Sequence, residues 1–234
     1  MRFSFSCLAF YSAGLLISAL QHVHAASPVI ANGVAAVAAG DGFTAYLEAN
    51  GSLYTAGSNQ SGQLGDGSTT TRSTFAFVTS DVSVIACGAN YILFVKKNGS
   101  LWGIGDNYFG QFGDGSTAGS LEPKQILASG VANVSAGASH SLILKTDGSL
   151  WSVGLNITGQ LGNGSTVDLS APFRVADSSV VSASAGDGHS LFVKADGSLW
   201  GMGSSWAGAL GTGTENDVYY DENGTAFTRG LTPI

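Results

Sequence analysis

The chain has 234 residues, 34 of them glycine and only 4 proline, with 44% hydrophobic and 11% charged side chains. That composition supports one domain with a sizeable core and excludes a disordered acidic tail, a coiled coil and, lacking a three-residue glycine period, collagen. A net charge of −7 with nine thinly spread basic residues excludes a nucleic-acid binder, which needs clustered Lys and Arg to displace counterions from phosphates, and argues against docking on an anionic membrane.

The N-terminus reads as a signal peptide over residues 1–25. Arg2 supplies the positive region, Leu8 to Leu20 an apolar run, and Val23-His24-Ala25 a cleavage site. The run is short for a span, so the alternative is an uncleaved N-terminal anchor. Cleavage places the mature chain, residues 26–234, in an extracellular or cell-envelope setting, with no remaining membrane span. Cys7 leaves with the signal, which makes Cys87 solitary, and its apolar strand favours a buried, inert thiol over a reactive one.

The rest of the chain repeats. A turn recurs as Asn50-Gly51-Ser52-Leu53-Tyr54, Asn98-Gly99-Ser100-Leu101-Trp102, Asp147-Gly148-Ser149-Leu150-Trp151 and Asp196-Gly197-Ser198-Leu199-Trp200, at steps of 48, 49 and 49 residues. Gly62-Gln63-Leu64-Gly65, Gly110-Gln111-Phe112-Gly113, Gly159-Gln160-Leu161-Gly162 and a weaker Gly208-Ala209-Leu210-Gly211 keep the same phase, as do Gly40, Gly88, Gly137 and Gly186. Such self-similarity defines four units, roughly 34–81, 82–130, 131–179 and 180–234.

Each unit reads as four short strands. In the third, Val134-Ser135-Ala136 enters, Ser141–Lys145 is an apolar run, Asp147-Gly148 turns a hairpin with φ > 0 expected at both positions, Leu150–Val153 returns, and Pro172–Val175 is an outer strand. No segment has helical spacing over more than two turns. Four strands in under fifty residues describe a blade of an all-β propeller, whose apolar rows need a neighbour on each side. Small residues near the start of each unit, Ala39, Ala86, Ala136 and Ala185, suit strands crowded at a central axis. Trp102, Trp151 and Trp200 bring a large apolar area to the contact between blades.

These residues resemble a known family. The pattern V-x-x-V-S-A-G-x-x-H-S-L-x-L-K-x-D-G-S-L-W-x-x-G-x-N-x-x-G-Q-L-G-x-G-S, cleanest at 131–165 and extending over about 34–214, is similar to the regulator-of-chromosome-condensation repeat. The resemblance implies a propeller that typically has seven blades. Four units then form an incomplete arc with two uncovered faces open to self-association; the alternative is a closed four-bladed ring, with Pro28–Ala31 completing the last blade. The nuclear activity of the eukaryotic namesake does not fit an acidic chain with a signal peptide. Secreted bacterial propellers of this repeat type, which inhibit β-lactamases, are a nearer likeness, although their contact residues match nothing here residue by residue.

His140 and His189 occupy a repeat position held elsewhere by Phe43 and Tyr91, which marks packing rather than catalysis. Asp66 and Asp114 have Asn163 and Thr212 as counterparts, a turn preference rather than an acid pair. A hydrolase built on these acids or histidines is the rival from another class, yet no nucleophile elbow, HExxH, phosphate loop or EF-hand loop is present. The expectation is a non-enzyme without cofactor. An acidic insertion in the fourth unit, with Asp217, Asp221 and Glu222, reads as a solvated loop, with Ca²⁺ binding the alternative.

What the repeats do not share is a tip after each conserved Asn or Ser: Gln60-Ser61, Tyr108-Phe109, Ile157-Thr158 and Trp206-Ala207. Equivalent propeller loops gather on one face, and aromatics on rigid loops are how binding hot spots look. The expectation is a secreted binding propeller that meets an extracellular protein or glycan through Tyr108, Phe109, Ile157 and Trp206. A third reading is a structural module of a larger cell-surface protein.

Overall fold

The computed structural model describes residues 30, 32–211, 218–220 and 226–228. The expected signal segment, the segment Pro28–Val29 and the acidic candidates Asp217, Asp221 and Glu222 lie outside the described residues.

The chain is all-β. Blade 1 runs in the order β1 (Val34–Ala39), β2 (Phe43–Glu48), β3 (Leu53–Gly57), β4 (Arg72–Thr79). Blade 2 repeats it with β5 (Val82–Cys87), β6 (Tyr91–Lys96), β7 (Leu101–Gly105) and β8 (Ser120–Leu127), and blade 3 with β9 (Val131–Ala136), β10 (His140–Lys145), β11 (Leu150–Gly154) and β12 (Leu169–Ala176). The fourth sheet has β13 (Val180–Ala185), β14 (His189–Lys194) and β15 (Leu199–Gly203); β16 (Val218–Tyr220) and β17 (Ala226–Thr228) pair with each other. Every ladder is antiparallel, so the loops after the first and third strands of each blade lie at one end and the hairpin turns at the other.

The hairpin turns differ from the expected two-residue form. In blade 1 the Gly51 N–H bonds the Glu48 carbonyl at 2.9 Å and the Glu48 N–H bonds the Ser52 carbonyl at 2.9 Å. This is a three-residue loop in which only the glycine is left-handed: Gly51, Gly99, Gly148 and Gly197 have φ of 96°, 80°, 79° and 84°, and the residues before them do not. The cause is the Asn or Asp side chain. Asp147 Oδ1 accepts both the Ser149 N–H at 2.9 Å and its hydroxyl at 2.6 Å, which closes an Asx turn in the right-handed region. The Ser149 hydroxyl in turn accepts the Trp151 indole N–H at 2.9 Å, and the Lys145 ammonium lies 4.1 Å from the indole centre. Each partly exposed Trp is thus anchored at its polar edge and covered on its face; Trp102 and Trp200 repeat the arrangement.

The second strand of each blade alternates between its two neighbours. Ile92 and Phe94 join Leu47, Leu53 and Phe43 in the core between blades 1 and 2, while Tyr91, Leu93 and Val95 face Val131, Val134 and Ile143 of blade 3. On the third strand Leu points forward, toward the next blade, and Trp points back: Leu150 belongs to the core shared with blade 4, Trp151 packs on that shared with blade 2. Near the axis a cavity of about 270 Å³ is lined by Ala39, Cys87, Ala136 and Ala185 and the glycines that follow them. Cys87, not Ala86 as expected, takes the axial place in blade 2, because Ala86 packs into the core with blade 3. Burial pushes the Cys87 thiol up to about 12.

The two ends of this array are uncovered among the described residues. Val82, Val131 and Val180 are buried under the preceding blade, whereas the equivalent Val34 is 38% exposed. Leu53, Leu101 and Leu150 are buried under the following blade, whereas Leu199 is 64% exposed. The blades form an open, partial propeller rather than a closed four-bladed ring.

The turn geometry makes a test. Gly148→Ala is expected to lower unfolding free energy by more than the roughly 1–2 kcal/mol of left-handed strain alone, because its Cβ would also sit 3.0 Å from the Ser179 amide nitrogen. Gly197→Ala, with an open surrounding, should cost less; urea unfolding of both variants measures the difference.

Candidate functional site

The tip loops link the third and outer strands, and each is built on one buried side chain. Asn107 Oδ1 accepts the Phe112 N–H at 2.8 Å, and its Nδ2 donates to the carbonyls of Ser116 and Ala118, both at 3.1 Å. Asn156 does the same with Leu161, Ser165 and Val167, and Asn59 with Leu64, Ser68 and Thr70. A carboxamide has two donors and an acceptor, so one residue gathers three strands of loop backbone that would otherwise be buried without partners. A second buried amide supports the tip: Gln111 and Gln160 accept the N–H of Phe109 and Thr158 through Oε1, each at 3.0 Å.

Fixed from beneath, the tips point outward. Tyr108, Ile157 and Trp206 are 73%, 67% and 75% exposed, and Gln60 holds the equivalent exposed place in blade 1. Phe109 is half-buried and meets the Tyr108 ring edge-on at 5.0 Å. These expected site residues therefore stand on equivalent loops at one end of the blades. Val167, also 67% exposed, sits on the same loop as Ile157; no repeated motif marks its segment in the sequence. Thr158 ties its tip to blade 4 through a hydroxyl bond to the Gly188 carbonyl at 2.8 Å.

The polar candidates sit elsewhere and do other work. For Asp66, burial opposes ionisation, but bonds from Ser68 and Asn59 and the Arg72 guanidinium at 2.8 Å outweigh it and hold the carboxyl below its ordinary range. Asp114 is likewise held down against burial by Lys124 and Ser116. Each acid closes the loop of its own blade. His140 is fully buried between blades 3 and 4, with Nε2 2.9 Å from Ser190 Oγ. The Ser190 hydroxyl donates to the Gln160 carbonyl, so Nε2–H donates to Ser190. Burial first, and His189 second, bring the His140 pKa down to about 4. Tyr91, at the same repeat position, sends its hydroxyl to the His140 carbonyl at 2.6 Å and contacts Ser141 Oγ at 3.0 Å. This repeat position is a bolt between blades.

The geometry defines a class: a β-propeller with rigid, variable loop tips on one end. The family model for the regulator of chromosome condensation (RCC1) repeat matches residues 50–95, 98–144 and 147–193, and the chain belongs to that family. Among solved structures, yeast RCC1 (Prp20) bound to Kap60 superposes with a TM-score of 0.71 at 25% identity, covering 86% of this chain and 49% of that one. A structure of Prp20p from Saccharomyces cerevisiae, described with its binding to Gsp1p and histones, has the same TM-score and identity, with 51% of its length covered. Human WBSCR16 shares the fold at 23% identity, TM-score 0.71, with 86% of this chain and 54% of that one covered. The chain thus spans about half the length of the solved chains it matches. No curated protein sequence matches it.

Two outcomes follow from the loop and the bolt. Asn156→Ala is expected to cost roughly 2–3 kcal/mol in urea unfolding, since it strands a buried N–H and two carbonyls. For His140, the folded pKa lies below the ordinary 6.5, so the unfolded chain takes up the proton first. Stability should be intact above pH 6.5 and fall as pH drops toward about 4, by on the order of 3 kcal/mol. His140→Tyr, which installs the blade 2 residue, should flatten unfolding free energy against pH across that window.

Proposed function

We propose that this chain is a secreted, non-enzymatic binding propeller that captures an extracellular or cell-envelope protein or glycan through Tyr108, Phe109, Ile157 and Trp206, with Val167 beside them. The observation that carries the reading is the contrast within each loop. The base is one buried, fully bonded amide in blades 1–3, and the equivalent tip position carries a large, mostly exposed apolar side chain in blades 2–4. Rigid backbone under exposed aromatic and aliphatic groups lowers the entropy lost on binding and concentrates affinity in a few side chains.

Two further features support it. The acidic charge and the N-terminal sequence, with its positive residue, apolar run and small-residue cleavage site, fit export. The yeast relative is described binding Gsp1p and histones, which supports a protein-binding use of this repeat; neither partner is carried over. Asp66 and Asp114, held ionised in their own loops, favour turn closure over acid catalysis.

The test is a triple variant, Tyr108→Ala, Ile157→Ala and Trp206→Ala. Capture of envelope and extracellular proteins, and binding on a glycan array, are compared with the unaltered chain. Loss of capture with the thermal midpoint unchanged within about 2 °C is the expected result; unchanged capture would refute the assignment.

A further inference from the structure

Consecutive blades are joined three times by the same joint. The turn carbonyls of Gly51, Gly99 and Gly148 accept the N–H of Val82, Val131 and Val180 at 3.0, 3.1 and 3.1 Å. Beside each bond a leucine is buried under the next blade. Nearer the axis, the first residue of one blade's second strand meets the second residue of the following blade's: Phe43 shares a core with Ile92, the Tyr91 hydroxyl bonds Ser141, and His140 bonds Ser190.

The chain carries one more copy of each half, at opposite ends of the array. The trailing face of blade 4 presents the Gly197 carbonyl, Leu199 and His189; the leading face of blade 1 presents the Val34 N–H, Val37 and Thr44. His189 stands where His140 stands, and Thr44 where Ser141 and Ser190 stand. Among the described residues neither the His189 ring nor the Thr44 hydroxyl has a hydrogen-bond partner, and Gly197 and Val34 lack the bond their equivalents make. We infer that the trailing face of blade 4 docks on the leading face of blade 1 of a second copy of this chain, head to tail, through a fourth instance of the same joint.

The leading face is built to be covered. A terminal repeat that simply ends an array turns a polar face outward. Here Tyr46 and Tyr54 stack at 4.9 Å, with Phe75 and Phe77 edge-on against them. Phe75 and Phe77 replace the Pro and the Gln or Arg that blades 2 and 3 carry in register. Val37 is 72% exposed, although Ile85 and Val134 at the same position are covered. Packing two leading faces together would leave Leu199 and His189 of both copies uncovered, so the symmetric alternative fits poorly. A head-to-tail contact either closes or continues as a filament; two chains closed on each other would make about eight blades, within the range propellers adopt.

The experiment is sedimentation velocity on the full chain over a range of concentrations, with two variants. Unaltered chain should appear at twice its monomer mass or more. Val37→Asp and Leu199→Asp alter side chains that are 72% and 64% exposed, so the thermal melt of each should persist. Each variant alone has one blocked face and should be monomeric. Mixed in equal amounts they retain one intact pair of faces and should form a dimer. A monomer at every concentration of unaltered chain, or one variant that still associates by itself, would overturn the head-to-tail joint.

Discussion

A blade of this size is apolar on both sides, and everything else in the molecule answers to that. Side chains along β6 and β10 alternate between two neighbours, so neither inner blade has a solvent face to spare. The division is kept on β3, β7, β11 and β15, where Leu reaches forward and the aromatic reaches back. Covering both sides requires a fixed spacing between blades, and the Gly carbonyl bonded to the next Val N–H sets it. The repeat is the sequence consequence of solving one two-sided packing problem several times.

The loops inherit their rigidity from the same economy. A backbone that must cross from the third strand to the outer strand carries polar groups into a crowded region. Asn59, Asn107 and Asn156 satisfy those groups from the inside, which frees the outward residues from any structural duty. Blade 4 departs from this: Ser205 replaces the Asn, Ala209 replaces the Gln, and Ala207 takes a left-handed φ of 56°. Trp206 is thus presented on a differently built loop from Tyr108 and Ile157.

Much of the fold was legible because period, hairpin and glycine anchors all pointed to the same blade. At Asp147-Gly148 the dipeptide predicts a two-residue turn, but it does not reveal that the aspartate bonds the backbone two residues on. The exposure of Tyr108, Ile157 and Trp206 was expected from variability, and the structure places them in solvent. The Asn fan was only half visible: its conserved position could be seen, but not partners five, nine and eleven residues away. At the Tyr91 and His140 bolt the exchange of Phe, Tyr and His marks packing, but the hydrogen bonds are not legible, because each partner lies a whole blade downstream.

That bolt has a consequence for how such arrays change over generations. The residues at each joint are matched in pairs: Phe43 with Ile92, Tyr91 with Ser141, His140 with Ser190. A gene event that copied blade 2 in tandem would set Tyr91 of the first copy against Ile92 of the second, so its hydroxyl would keep a backbone carbonyl but lose the hydroxyl it meets at Ser141. Copying blade 3 instead would face His140 with Ser141, a pairing already chemically sound. The blades look interchangeable at their turns, yet near the axis their side chains are paired in order, so some duplications keep a matched pair and others do not.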